Sequence, residues 1–256
     1  MVQAMSSTYT QRHPPHTGTP SREESLATYE RLAPEYAGPA HATTRALERL
    51  SIEAYRHAQP LARAARDRPD VLELGAGAGA LTALLLPEQA RGRLLVTDPA
   101  PGMLARLRPL LVEHERVDLR QATADVALQE GGGDADVVIA GLADPFLTPE
   151  LLRTALARLH QDSVLFVTVP SRSWALAERE GRLHIPLEST RFRLLDGTEL
   201  RATSWTYDED ELEKLCADCG FLPIEAGTCT DDSPAGGEEP AAEVAWVLAK
   251  PRVAGV

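Results

Sequence analysis

Cysteine, lysine, aromatic residues and long apolar runs are all scarce in this 256-residue chain, and each scarcity excludes something. Three cysteines, an odd count, do not make the disulfide framework of a small secreted scaffold. No apolar run nears the roughly 18 residues of a membrane span. The opening segment, rich in Ser, Thr, Pro and His, lacks the apolar core of a secretory signal. Basic residues are outnumbered 26 to 38, for a net charge of −12. Without a basic stripe to neutralise phosphates, nucleic acid is not an expected partner, and an acidic surface is repelled by anionic membranes. The expectation is a cytoplasmic monomer or homodimer. What is present is ordinary for a globular domain: 43% apolar and 25% charged residues, enough to bury a sizeable core.

Residues 1–24 show no periodicity and read as a flexible tail. Residues 25–68 turn helical, with Leu47, Leu50, Ala54 and Ala58 on one face, and Pro34, Gly38 and Pro39 dividing a short helix from a longer one. Strands and helices then alternate. The predicted strands are Val71–Leu74, Leu94–Thr97, Val117–Gln121, Asp136–Ala140 and Val164–Val169, which implies a mostly parallel sheet covered by helices on both faces. After Pro170 the alternation stops, and residues about 175–207 read as an insertion carrying a hairpin from His184 to Tyr207. A helix from Asp208 to Gly220 and two strands, Phe221–Glu225 and Val244–Leu248, complete a domain spanning 69–256.

The densest signal is Glu73-Leu74-Gly75-Ala76-Gly77-Ala78-Gly79 at the end of the first predicted strand. Small residues there let the backbone turn tightly and approach a ligand, and ligands of open α/β sheets bind beyond the carboxyl ends of the strands. A carboxylate at Glu73 would favour a cationic ligand, and Asp98, ending the second strand, could accept hydrogen bonds from both hydroxyls of a ribose. The same glycines, with Ala80, also satisfy the dinucleotide fingerprint. Glu73 two residues before the first glycine, some 70 residues ahead of the first strand and the closing strand pair all weigh against a nicotinamide enzyme.

These segments resemble the class I S-adenosylmethionine-dependent methyltransferases, in which an acid-x-Gly-x-Gly-x-Gly run ends the first strand and an acid ends the second. Here those are Glu73, Gly75, Gly77 and Gly79, then Asp98-Pro99-Ala100-Pro101-Gly102-Met103-Leu104. The resemblance implies a seven-stranded α/β fold with an N-terminal helical cap and an enzyme using S-adenosylmethionine, with no metal. It implies that Glu73 lies beneath the methionine amino group and that Gly75, Ala76 and Gly77 admit the methionine and ribose. Asp98 would bind the ribose hydroxyls, Pro99 and Met103 would flank the adenine, and Ala140 and Gly141 would line the cofactor. In place of the family's Gly-Asp-Ala after the third strand stand Ala122, Thr123 and Ala124, with Asp125 next, so the adenine contact falls to Thr123, Ala124 or Asp125. Tyr29 and Tyr36 look like the paired aromatics that close over the cofactor, or else they simply pack in a helix.

The expected acceptor is a small molecule, and the Ala/Arg/Leu-rich, lysine-poor composition suggests bacterial secondary metabolism. An enzyme of the same fold catalysing a cyclisation, without methyl transfer, is the alternative. Candidate catalytic residues are His41, His184 and Asp144. Asp144-Pro145-Phe146 comes several residues later than the acidic turn of amino-directed members, so an ordinary loop is the simpler reading. Cys216-x-x-Cys219 ends a helix, where the dipole disfavours thiolate, and reads as packing, not as a redox or metal pair.

Overall fold

Two helices precede the sheet, α1 (Arg22–Leu32) and α2 (Ala42–Arg63). The computed structural model describes residues 18–36, 38, 40–63, 68–88, 92–143, 145, 147–178, 188–231 and 242–252. The first helix starts three residues before the expected boundary because Ser21 forms a capping box. The Glu24 N–H donates to Ser21 Oγ (3.1 Å), and the Ser21 N–H donates to the Glu24 carboxylate (2.7 Å). Ser21→Ala is expected to cost about 1 kcal/mol, read as a lower denaturation midpoint in urea at unchanged slope.

The alternating region forms β1 (Val71–Leu74), α3 (Ala80–Glu88), β2 (Leu94–Asp98), α4 (Pro101–Leu111), β3 (Val117–Gln121), α5 (Ala124–Gly131), β4 (Val137–Gly141), α6 (Pro149–Arg158) and β5 (Val164–Pro170). A short helix that the sequence did not announce, α7 (Arg172–Glu178), follows β5 directly. Strands β6 (Ser189–Arg193) and β7 (Glu199–Thr203) pair as a separate antiparallel hairpin. Then come α8 (Glu209–Asp218), β8 (Phe221–Thr230) and β9 (Glu243–Pro251). The last two strands are longer than their apolar cores suggested, because they pair with each other along their whole length, with a register shift between Pro223 and Glu225.

The seven-stranded sheet runs β3-β2-β1-β4-β5-β9-β8, with only β9 antiparallel to its neighbours. Strand residues alternate between faces, and the packing follows that alternation. Leu72, Leu74, Val138, Leu165 and Val167 meet α5, α6 and α8 on one face. Val71, Val96, Ile139, Phe166 and Leu248 meet α2, α3 and α4 on the other. The central strands β1 and β5 are buried along their whole length and are apolar apart from Glu73 and Thr168, whereas the edge strand β3 alternates. Cys216 and Cys219 belong to the first of these cores, and burial pushes the Cys216 thiol up to about 12, so both serve as packing. Among the described residues no group of side chains is arranged to hold a metal, and no helix is long and apolar enough to cross a membrane.

The hairpin does not stand alone. It packs on α1, about 160 to 180 residues earlier in the chain. Thr28 Oγ1 donates to the Arg201 carbonyl (2.6 Å), Ser25 Oγ bonds Thr203 Oγ1 (3.2 Å), and Tyr29 meets Phe192 edge-on. On its other side α1 reaches α4, where the Glu30 carboxylate accepts the Gly102 N–H at 2.7 Å. Helix and hairpin therefore form one roof over the carboxyl ends of the strands.

Candidate active site

Strand order reverses between β1 and β4, and the crevice beyond their carboxyl ends is where such sheets bind ligands. The loop after β1 needs glycine there for two reasons. Gly75 and Gly77 have φ of +66° and +56°, in the left-handed region. A Cβ on Gly75 would also lie 3.2 Å from Ala143 Cβ, on the loop after β4. With no side chains in the way, the Gly77 N–H donates to Asp98 Oδ2 and the Ala100 N–H to Asp98 Oδ1, both at 2.8 Å. The Asp98 carboxylate is thereby fixed at the rim of the crevice. Burial pushes it up to about 6 against the pull of those two N–H groups.

Glu73 lies deeper, 2% exposed, with Thr82 Oγ1 donating to its carboxylate at 2.7 Å. Burial raises its pKa to about 8; the Thr82 bond opposes the shift and the Asp98 charge adds to it. A second carboxyl group lines the same recess, Glu48 from α2, together with Ser51, Gly75, Ala76 and Gly141. Burial carries Glu48 to about 7 despite Arg106 and Arg45 nearby. Sequence reading missed Glu48. The usable signal was polar Glu48 and Ser51, one turn apart beside the apolar stripe of α2.

Leu142 is the hinge of the arrangement. It is the single non-glycine residue with positive φ (+52°) among the described residues. Its N–H is held by Thr168, through both the carbonyl and Oγ1 at 3.1 Å, and Thr168 Oγ1 in turn shares a 2.7 Å bond with Ser51. Such strain, of order 1–3 kcal/mol, persists where the surroundings fix it and clusters at functional sites. Leu142 borders three connected spaces. One is the recess of Glu73 and Glu48. The second is an apolar slot of Leu26, Tyr29, Pro99, Ala100 and Met103, with Asp98 at its edge. The third is a cavity of about 220 Å³ under the roof, walled by Tyr29, Tyr36, His41, Trp174, Phe192 and Thr206.

The residues expected at the site divide accordingly. Glu73, Gly75, Ala76, Gly77, Asp98, Pro99, Met103, Gly141, Tyr29 and Tyr36 all border the crevice or its two extensions. Ala140 and Ala124 are packed in the core, at 2% and 8% exposure. Thr123 stands just before α5 and Asp125 pairs with Arg22 of α1; neither is among the residues bordering the slot. His41 is 7% exposed on the wall of the roofed cavity. His184 and Asp144 lie outside the described residues.

Residues 71–164 match the model of a family described as a methyltransferase domain. None of the curated proteins compared matches the chain. Among solved structures, the DhpI-SAM-HEP complex is similar over 91% of this chain and 100% of that one, at 20% identity and a TM-score of 0.60. A SAM-dependent methyltransferase from Methanosarcina mazei is similar over 73% and 94%, at 16% identity and 0.55. A structure described as conversion of a disulfide bond into a thioacetal group during echinomycin biosynthesis is similar over 79% and 82%, at 19% identity and 0.52.

Proposed function

We propose that this chain, whose residues 71–164 match a methyltransferase domain, is a class I S-adenosylmethionine-dependent methyltransferase that moves the methyl group onto a small molecule held in the 220 Å³ cavity. The observation that carries this reading is the shared wall. Leu142 and Tyr36 border both the carboxylate-lined recess and the roofed cavity, so a ligand in one meets a ligand in the other across them.

The residues suit the cofactor. A fixed carboxylate at Asp98 suits a ribose diol, the slot of Pro99, Ala100 and Met103 suits a flat base, and two buried carboxyls, Glu73 and Glu48, suit a cationic amino-acid end. When bound, S-adenosylmethionine supplies a methyl carbon made electrophilic by the adjacent sulfonium. The protein's part is to align the acceptor and exclude water. The roof of α1 and the hairpin does the second, and Leu142 with the aromatic walls does the first. That the fold neighbours include a structure from echinomycin biosynthesis agrees with an acceptor from secondary metabolism.

Calorimetry is expected to show S-adenosylmethionine and S-adenosylhomocysteine binding while NAD gives no heat. Incubation with methyl-labelled cofactor should place the label in product. Binding of NAD alone would end this reading, and turnover that leaves the label on the cofactor would point to the same fold doing other chemistry.

A further inference from the structure

Three buried polar atoms among the described residues have no hydrogen-bond partner in the protein and belong to the wall of one cavity: His41 Nε2, Trp174 Nε1 and Thr206 Oγ1. A buried polar group left unpaired costs about 1–3 kcal/mol, so three at one cavity call for a partner supplied by its occupant. Their chemistry limits that occupant. Indole N–H only donates, so Trp174 requires a lone pair. The Thr206 hydroxyl, on the same wall, can donate or accept. His41 can accept a proton. Its Nε2 lies 3.9 Å from Glu35 Oε1, and the Leu195 N–H holds Glu35 at 3.1–3.2 Å.

The rest of the wall mixes aromatic rings with hydroxyl and charged side chains, among them Thr44, Ser204, Glu178 and Arg191. Aromatic residues are only 5% of the chain, yet Tyr29, Tyr36, Trp174 and Phe192 all border this space. Ring faces set around a small cavity select planar occupants. Arg193, exposed and without a carboxylate within ion-pair distance among the described residues, borders the same space as Arg191 and Glu178.

We propose that the acceptor is a planar hydroxylated molecule with a second oxygen function of the carboxylate or ketone class, and that His41 is its catalytic base. This rests on the methyl-transfer reading and names its substrate class. The second oxygen accepts from Trp174 Nε1 and Thr206 Oγ1, and the hydroxyl faces His41. In the transfer, the acceptor oxygen forms a bond to the methyl carbon as the carbon–sulfur bond breaks. The bonding pair stays on sulfur, which becomes a neutral thioether. The hydroxyl proton passes to His41 Nε2, where the Glu35 carboxylate stabilises the resulting imidazolium.

The test is calorimetric titration of the full chain, with and without S-adenosylhomocysteine, using 4-hydroxybenzoate, phenol, 4-aminobenzoate and 4-hydroxycyclohexanecarboxylate. Hydroxybenzoate should bind at least tenfold more tightly than the aminobenzoate or the non-planar acid. Trp174→Phe should weaken hydroxybenzoate at least tenfold more than it weakens phenol. With labelled cofactor, His41→Ala should lower kcat for hydroxybenzoate at least 100-fold with KM within threefold, and added imidazole should restore part of it. Equal binding across the panel, no binding at all, or a Trp174→Phe variant indistinguishable from wild type overturns the proposal. S-adenosylhomocysteine binding is scored separately, so an empty cofactor recess refutes the methyl-transfer reading without touching the selectivity of the cavity.

Discussion

Asp98→Ala is expected to weaken binding of S-adenosylhomocysteine about 30-fold or more. The carboxylate already accepts the Gly77 and Ala100 N–H groups at 2.8 Å, which spends one lone pair on each oxygen and leaves the others toward the slot. Two hydroxyls bonded there to a charged acceptor are worth roughly 1.5–3 kcal/mol each, and 2 kcal/mol is about 30-fold in affinity. Alanine also leaves two backbone donors unpaired at the tip of β2, so the glycine loop loses its tether. Asp98→Asn, which keeps an acceptor without the charge, should fall between alanine and wild type. Calorimetry on variants whose thermal unfolding confirms a folded state decides the matter; an unchanged affinity for Asp98→Ala would remove Asp98 from the cofactor's partners.

Glu73→Gln should make the unliganded protein more stable at pH 8 while making it a poorer binder. Burial holds the Glu73 carboxyl at about 8, far above its ordinary 4.5, so the folded chain keeps a proton that the unfolded chain has lost over that interval. Stability therefore falls as pH rises from about 4.5 to 8, by about 4 kcal/mol for this group. Glutamine keeps an acceptor for the Thr82 hydroxyl and has no proton to lose, so the gap between variant and wild type should be near zero at pH 4.5 and widest at pH 8. A cationic ligand reverses the balance, because it favours the ionised form. Wild-type affinity for the cofactor should thus climb as pH rises toward 8, and the variant should show a flatter profile. Urea denaturation across pH 4.5–8 measures the first effect and calorimetry the second. Parallel stability curves for the two proteins would show that Glu73 does not titrate in this window.

The parts of this molecule that were readable in advance are those where local chemistry and global placement coincide. Val71–Leu74 followed by glycines could only be a buried strand meeting a tight turn, and Asp98 had to fall at a neighbouring tip. The apolar stripe of α2 likewise fixed its inner face: Leu50, Ala54 and Ala58 are buried. What escaped were groups that matter through distant partners. Glu48 looks like any surface acid in a helix until α2 is laid over the glycine loop. Asp125 looked available to a ligand until α1 brought Arg22 against it. Thr206 has no local signature at all, and its meaning comes from the absence of a partner in three dimensions. Helix α7 was hidden because seven residues are too few for periodicity to register.

The stitching of α1 to the hairpin also dictates an order of assembly. Ser25 and Thr203 are 178 residues apart in sequence, and closing so long a loop costs entropy before any contact repays it. During synthesis, the glycine loop and the aspartate tip can come together while the partner strands of the first helix have yet to be made. On the proposed reading the adenosine seat can therefore form from early, local contacts, whereas the roofed cavity is closed only once the far end of the chain returns to α1.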